Sequence, residues 1–422
     1  MTKVFIAEQI PSYNKGEEAI LKGLLKNLPG SQNCHVTLVS SYPYQDMKFY
    51  GAQVKLIPVV NTLPETIQLN VRFLLSVLRQ GVEHLFFMLL FKIFGKKAIK
   101  IMKGAIWKEY LAADVIVIGH DSILGFERVV LFLSFFNVIK KRVIIYAGSF
   151  PQLGNTVKEK ISSFLLNRVE CISLREKLSY EYLRKIGVKS NMFVTADPAF
   201  LVDPCSPERL DAILAQKCYH KRHSRIIGVT PSKILSRYIP SGSTIDEKYS
   251  INIQTMADII DMLVTELHAD IFLIPHVFGS GVLAKDDLND ALMAELIRAK
   301  CKNQSRIFLF DKQMTADETK ALISICDLFI GERLHSIIDA ASSCVPFIAI
   351  LEKTNRTLGI LEDLTVNGRG FYDVKRLTFV SLSYEIHYVW ENKETIKKWL
   401  EVQSLHSKHM AAKNIKCFDG IL

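Results

Sequence analysis

An arginine and a histidine two residues apart, Arg333-Leu334-His335, are the side chains in this sequence best suited to hold and work on a small anion. They stand inside Asp327-Leu-Phe-Ile-Gly-Glu-Arg-Leu-His335, which continues as Ser-Ile-Ile-Asp339-Ala-Ala and reaches the apolar run Val345-Pro-Phe-Ile-Ala-Ile350. A guanidinium meets a carboxylate or phosphate with two parallel N–H bonds, and an imidazole exchanges its proton near neutral pH. The pattern reads strand, sharp turn, helix, strand, which puts both side chains where the helix begins. Unpaired N–H groups there carry about half an elementary positive charge, so the place suits a small polyanion. A structural use is open too: His335 and Asp339 can pair on one helix face, and Glu332 can pair with Arg333. Residues two apart do not share a helix face. Arg333 and His335 therefore converge only if Arg333 lies in the turn before the helix, which Gly331 permits.

Three further constellations stand at predicted strand ends. In Ile10-Pro-Ser-Tyr-Asn14-Lys-Gly16-Glu-Glu-Ala-Ile-Leu21, Gly16 lets the backbone approach closely at a helix start, and Asn14 can cap that helix. The segment is neither GxGxxG nor a P-loop, so it implies neither a dinucleotide nor ATP. Val115-Ile-Val-Ile-Gly119-His120-Asp121-Ser122 reads as a buried strand that presents His120 and Asp121 at its tip. Asp121 can move a proton there, or Asp121 or Ser122 can simply cap the next helix. In Ser173-Leu-Arg175-Glu-Lys-Leu-Ser179, Arg175 sits at a strand-to-helix junction. It can bind an anion bidentately or pair with Glu176 or Asp197.

The elements that must position these groups alternate between strand and helix, which argues an α/β fold. Strands are expected at 3–7, 35–40, 54–59, 114–118, 142–146, 170–174 and 192–195, with a mostly helical insertion near 65–111. A second series begins at 225–230 and continues at 270–274, 306–309, 327–330 and 346–350. Ser206 and Pro207 mark a helix start before the basic tract 217–225, and Thr315-Ala-Asp-Glu318 fits a capping box. The expected organisation is an N-terminal α/β domain over 1–205, a second α/β domain over 225–375 and a helical region over 376–422. Two Rossmann-like domains facing across a cleft is the simplest architecture, with ligands beyond the carboxyl ends of the strands. Basic groups at helix starts in both halves would clamp a carboxylate-plus-phosphate ligand from two sides.

Length and composition agree with this picture. The 422 residues suit two domains, and the formal charge of +10 favours an acidic partner. No basic-aromatic interleaving points to nucleic acid. The eight cysteines form no CxxC pair and read as reduced core residues, so no metal site is expected. The chain opens directly into a strand, so a cytoplasmic location is expected. Leu85-Phe-Phe-Met-Leu-Leu-Phe-Lys-Ile-Phe94 is about half the roughly 20 residues needed to span a bilayer. With Lys92, Lys96, Lys97 and Lys100 around its end, it reads either as a buried helix or as a basic-rimmed helix lying on a membrane surface. Phe132-Leu-Ser-Phe-Phe136 before Lys140-Lys-Arg142 repeats the ambiguity.

These residues resemble the polysaccharide pyruvyl transferase family. The likeness runs from Asn14-Lys-Gly16-Glu-Glu-Ala-Ile-Leu21 through Arg175…Ser179…Leu183 and Ala196-Asp197-Pro198-Ala199 to Gly331-Glu-Arg-Leu-His335 and its following strand. The resemblance implies a two-domain GT-B-type architecture, similar in shape to some sialyltransferases. It implies transfer of a pyruvyl group from phosphoenolpyruvate onto two hydroxyls of a sugar, giving a cyclic ketal. Carried over by residue, it implies that Arg175, Arg333, Leu334 and His335 hold phosphoenolpyruvate. Asp121 matches an aspartate with a proposed catalytic role in a eukaryotic relative, and His276 matches a recurrent Pro-His. Many relatives carry a run of glycines where this chain has Gly119-His120-Asp121, which makes His120 a competitor of Asp121.

On this reading Arg333 and Arg175 meet the anionic groups, His335 serves the leaving phosphate or donates a proton, and Asp121 is base or orienting group for the acceptor. The scheme needs no metal or other cofactor. The acceptor is a sugar, free or lipid-linked at the inner face of a membrane. The readings that compete are a GT-B glycosyltransferase using a nucleotide sugar and a non-catalytic component of a polysaccharide assembly complex. Loops 61–70, 232–250 and 277–287 would select the acceptor.

Overall fold

The computed structural model describes residues 1–28, 34–58, 71–102, 104–119, 124–219, 225–279 and 289–421. Strands β1 (Thr2–Gln9), β2 (Cys34–Ser40), β3 (Lys55–Pro58), β4 (Val115–Ile118), β5 (Arg142–Gly148), β6 (Cys171–Leu174) and β7 (Met192–Val194) form one sheet. Its order is β3-β2-β1-β4-β5-β6-β7, and every neighbouring pair is parallel. Strands β8 (Arg225–Thr230), β9 (Ala269–Leu273), β10 (Ile307–Leu309), β11 (Leu328–Gly331), β12 (Phe347–Leu351) and β13 (Phe371–Asp373) form a second. Its order is β10-β9-β8-β11-β12-β13, again parallel throughout.

Parallel sheets are covered on both faces, so their strands read as unbroken apolar runs. Val115-Ile-Val-Ile118 and Phe347-Ile-Ala-Ile-Leu351 are such runs, buried at every residue. The strand expected at each of the twelve predicted positions is present, and β13, only Phe371-Tyr-Asp373 between glycine turns and a short 3-10 helix, was not foreseen. The helix signals also hold: Ser206 accepts from the Arg209 N–H, and Thr315 and Glu318 form a reciprocal capping box.

In each sheet the connections leave a central pair of strands in opposite directions. The pair is β1 and β4 in the first sheet and β8 and β11 in the second. Such a switch point leaves a crevice at the carboxyl ends of the two strands. Both crevices are crossed by a glutamate. Glu8 of β1 accepts from the Gly119 N–H just past β4, and Glu332, just past β11, accepts from the Ser232 N–H beyond β8. Gly119 is required here, because its φ is +89° and a Cβ would press to 3.0 Å from Ile145 and Leu124.

The chain packs as two units, Met1–Ser12 with Leu24–Pro198 and Met410–Leu422, and Tyr13–Gly23 with Ala199–His409. This division differs from the boundaries 1–205, 225–375 and 376–422: 13–23 and 199–205 fall in the second unit, and 376–422 is divided at Met410. Asn14 bridges Val277 and the Lys15 N–H donates to the His276 carbonyl at 2.9 Å, which ties the start of the Lys15–Asn27 helix to the β9 extension. Thr195 donates to the buried Asn414 at 2.8 Å, and Phe418 packs on Tyr146, which ties the segment after Met410 to the first sheet. The helices Phe379–Glu391 and Lys393–Ala412 supply the helical region; Leu382, Ile386 and Leu400 are fully buried.

The Val71–Phe94 helix is one-sided. Phe87 and Leu90 are buried, with Phe87 stacked on Trp107 at 4.6 Å, while Val82, Leu85, Phe86, Leu89 and Ile93 are exposed. Among the described residues no helix is long and apolar enough to cross a membrane.

Candidate functional site

The second unit gathers most of the predicted chemistry around the tips of β8, β9 and β11. The Leu334–Ser342 helix follows β11 directly, and Arg333 is its N-cap with extended backbone, φ −124° and ψ 129°. Arg333 therefore lies before the first helical turn, the condition under which it and His335 can converge. An arginine has no acceptor with which to cap a helix, and this start carries no side-chain cap. Thr244, Asn289, Thr315, Thr354 and Thr378 do cap other helices of the unit.

Arg333 makes a two-pronged pair with Asp290, Nη2 to Oδ1 at 2.6 Å and Nε to Oδ2 at 3.0 Å. Asp290 is fully buried at the first turn of the Asp290–Lys300 helix. Its Oδ2 also accepts from the Val277 N–H at 2.9 Å, and its own N–H donates to the Val277 carbonyl at 2.8 Å. Burial pushes the Asp290 carboxyl up, and Arg333 pulls it back. Arg333 thus pairs with Asp290 and not with Glu332, the partner that adjacency in sequence offered.

Glu332 turns the other way. Its Oε2 accepts from the Ser232 N–H and from Asn252 Nδ2, while Oε1 has no hydrogen-bond partner among the described residues. Burial pushes this carboxyl up to about 8, so it is mostly protonated at neutral pH.

His335 is buried at 8% exposure, and its imidazole lies against Gly16. A Cβ built on Gly16 would fall 2.2 Å from His335 Nδ1, so only glycine fits. Asn14 holds Gly16 there: its Oδ1 accepts from the Gly16 N–H at 3.1 Å, and its Nδ2 donates to Glu17 at 2.9 Å. His276 is also buried. Its Nε2 is 3.8 Å from Asp339 Oδ2, and neither ring nitrogen has a hydrogen-bond partner among the described residues. Burial, reinforced by His335, Arg333 and Lys15, holds its pKa well below the usual histidine value, so the ring is neutral. The 3.8 Å approach to Asp339 is therefore not an ion pair. Lys15 is fully buried and pairs with Glu18 at 2.6 Å; the other Glu18 oxygen accepts from the Ala316 N–H at 2.9 Å. Burial lowers the Lys15 pKa against the pull of Glu18.

In the first unit, Arg175 is fully buried, donating to Asp197 at 2.7 Å and to Ser149 Oγ at 3.0 Å. Glu176 caps the Lys177–Lys185 helix through the Ser179 N–H. Arg175 thus meets Asp197 inside the unit, the structural pairing that the sequence offered beside anion binding. His120 and Asp121 lie outside the described residues.

The arrangement brings together Asn14, Gly16, His276, Arg333, Leu334 and His335, all in one unit. It supplies an uncapped helix start, a guanidinium fixed by a buried carboxylate, neutral buried imidazole and a protonated carboxyl. Together these can bind a small anion and deliver a proton. Lys15, Glu18, Asp290 and Glu332 were not foreseen as parts of it. Lys15 and Glu18 stood inside a recognised motif, whereas Asp290 meets its partner across 43 positions of sequence, beyond any local pattern.

Two outcomes follow. Gly16→Ala should cost about 1–3 kcal/mol by overpacking against His335, and that cost should largely vanish in a His335→Ala background; additive costs in thermal melts would refute the contact. Arg175→Ala should cost about 3–5 kcal/mol because it strands a buried carboxylate, with Asp197→Asn recovering part of it; an Arg175→Ala protein that melts like wild type would return Arg175 to the ligand.

Known proteins match this chain at three levels. The family model for polysaccharide pyruvyl transferase matches residues 14–353. Amylovoran biosynthesis protein AmsJ of Erwinia amylovora is 24% identical over 265 residues, 61% of this chain and 60% of AmsJ. The match thus spans less than two thirds of that relative. Among solved structures, Anabaena HepE in complex with UDP and glucose is 13% identical with a TM-score of 0.54, covering 100% of this chain and 98% of that one. The UDP-GlcNAc 2-epimerase from Neisseria meningitidis, bound to UDP-GlcNAc, is 11% identical with a TM-score of 0.63 and full coverage of both chains. These structural likenesses show a GT-B-type fold and nothing of the ligand. The family match covers most of the sequence and includes the Asn14, Gly16 and Arg333-Leu334-His335 motifs, so this chain belongs to the polysaccharide pyruvyl transferase family.

Proposed function

We propose that this protein transfers the pyruvyl group of phosphoenolpyruvate onto two hydroxyls of a sugar, in a polysaccharide or its lipid-linked precursor, forming a cyclic ketal. The observation that carries the reading is the start of the Leu334–Ser342 helix: uncapped, headed by Arg333, with His335 in its first turn. An enol phosphate bearing a carboxylate is a small polyanion of the kind such a start attracts.

The chemistry divides as follows. Protonation of the phosphoenolpyruvate methylene carbon makes C2 electrophilic. One sugar hydroxyl adds at C2 and releases its proton. The C2–O bond to phosphate breaks, the phosphate leaves with its electron pair, and the second hydroxyl closes the ketal. Of the two hydroxyl protons, one balances that delivered to the methyl group and the other leaves on phosphate. Arg333, the Leu334 backbone and His335 hold the donor, and His335 meets the leaving phosphate or supplies a proton. Glu332, buried against Ser232 and Asn252, keeps its proton near neutrality and supports the strand tip from the other side. Asn14 and Gly16 seat the His335 ring, and His276 lines the same cluster as neutral imidazole. Asp121, with His120 as its rival, serves the acceptor hydroxyls, and Arg175, paired with Asp197, is a second group for the anionic parts of the donor. No metal or other cofactor enters the scheme. The enzyme works on the cytoplasmic side, with a lipid-linked acceptor presented at the membrane face.

The first test is calorimetry with phosphoenolpyruvate. Wild type should bind in the micromolar to millimolar range, Arg333→Lys should bind at least tenfold more weakly because a point charge replaces the fork, and Arg333→Ala/Asp290→Ala should not bind. The paired substitution avoids stranding Asp290. Binding of a nucleotide sugar but not phosphoenolpyruvate would replace this reading with a glycosyltransferase, and phosphate release on adding acceptor would exclude a non-catalytic component.

A second test uses pH. Glu332 holds its proton more tightly when folded, so its stabilising contribution is whole below about pH 4.5 and is lost as pH rises through about 8. The melting temperature of wild type should fall between pH 6 and 9 more steeply than that of Glu332→Gln. Parallel slopes would show that Glu332 is already ionised at neutral pH.

A further inference from the structure

Three neighbouring helices of the first unit leave an apolar surface uncovered. The Phe126–Val138 helix packs against both the Val71–Phe94 and the Thr156–Leu166 helices, over one shared core that contains Phe87, Val129 and Leu165. On the outer side of the first helix, Val82, Leu85, Phe86, Leu89 and Ile93 form a stripe at helical spacing, away from the buried Phe87 and Leu90 and the half-buried Phe91. Leu85 is 60% exposed, Leu89 59% and Ile93 71%. The third helix repeats the device with Val157, Ile161 and Phe164, where Phe164 carries the Arg168 guanidinium over its ring at 3.6 Å. Leu131, 54% exposed, stands on the helix between them.

The charge around this face has one sign where it matters. Between Glu83 and Glu109 the sequence contains six lysines, 92, 96, 97, 100, 103 and 108, and no acidic residue. Lys92, Lys96, Lys97 and Lys100 are exposed where the apolar stripe ends. Acidic groups on these helices are partly neutralised: Glu83 pairs with Arg79 at 3.0 Å and Glu127 with Lys158 at 3.5 Å.

We propose that this face docks the protein onto an anionic lipid bilayer, with the stripe Val82–Ile93 entering the boundary between headgroups and acyl chains and the lysines meeting anionic headgroups. A second copy is the poorer occupant. A self-complementary contact centred on the end of the stripe would bring two lysine clusters together, whereas a lipid surface neutralises them. The helix lies on the bilayer and does not cross it, in keeping with its buried inner face. The inference deepens the reading of a lipid-linked acceptor and rests on it only for its purpose, since docking is measured without donor or acceptor.

The experiment is flotation of the full chain with vesicles of phosphatidylcholine alone or with phosphatidylglycerol. Wild type should float with the anionic vesicles, stay behind with the neutral ones, and be released as salt is raised. Leu85→Ser/Leu89→Ser/Ile93→Ser and Lys96→Glu/Lys97→Glu/Lys100→Glu should each lower the bound fraction at least tenfold. Both should keep the wild-type melting temperature and phosphoenolpyruvate affinity, because the altered side chains are exposed. Wild type that stays soluble with both vesicles, or a lysine variant that floats as well as wild type, overturns the proposal. So does a wild-type dimer in light scattering that the serine variant dissociates, which would give the face to a second copy. Flotation without phosphoenolpyruvate binding would keep the surface and sink the donor; the reverse would do the opposite.

Discussion

The pair between Arg333 and Asp290 is the joint on which the second unit's site turns. The Asp290 carboxylate is spent in two directions at once, on the guanidinium and on the Val277 N–H, in the first turn of a helix that Asn289 caps. Val277 bridges Asn14, and His276 beside it accepts from the Lys15 N–H. The chain of contacts therefore runs from β11 through the Asp290–Lys300 helix and the β9 extension to the turn that holds Gly16, and closes where Gly16 meets His335. Removing Asp290 would loosen the arginine and the seat of the histidine together. A two-pronged pair also fixes the guanidinium plane, which a single lysine contact would leave free to rotate.

Around this joint the protein keeps an unusual amount of polar chemistry out of water. Lys15, Glu18, His276, Asp290 and Glu332 are all nearly or fully buried. Each buried charge is met by an opposite charge or a helix end. Lys15 lies on Glu18, Glu18 also sits on the Ala316 N–H at the start of its helix, and Asp290 lies on Arg333. The groups without such a partner shed their charge: His276 stays neutral and Glu332 keeps its proton. Desolvation on this scale is costly, and the pairing of opposite charges and the loss of unpaired ones are what make it tolerable.

How much of this could be read in the sequence follows from the range of the interactions. The sheets were legible because parallel strands are buried on both faces and so appear as runs such as Val115-Ile-Val-Ile118. Caps were legible because Ser206 and Thr315 act within three residues of themselves. β13 escaped because three residues between turns carry no period. The site was half legible: the Arg333-Leu334-His335 and Asn14/Gly16 motifs stood out, and the structure brings them together. What could not be read was pairing across distance. Arg333 had an acid next door in Glu332, yet strand geometry points consecutive side chains apart, and Asp290 took the role instead. Arg175 had Glu176 and Asp197 to choose between, and the tip of β7 settled it for Asp197.

The interleaving of the two units bears on the order in which the protein can be built. Domains usually fold as they are synthesised, the first-made before the later ones. Here the first unit waits for residues 410–422, which are made only after all of 199–409. Until they arrive, Tyr146 lacks Phe418 and Thr195 lacks Asn414, so the edge of the sheet at β5 to β7 stays uncovered. The second unit, needing only the early segment 13–23 from outside its own stretch, is complete sooner. The half of the molecule that is translated first is thus the one whose last segment is made last.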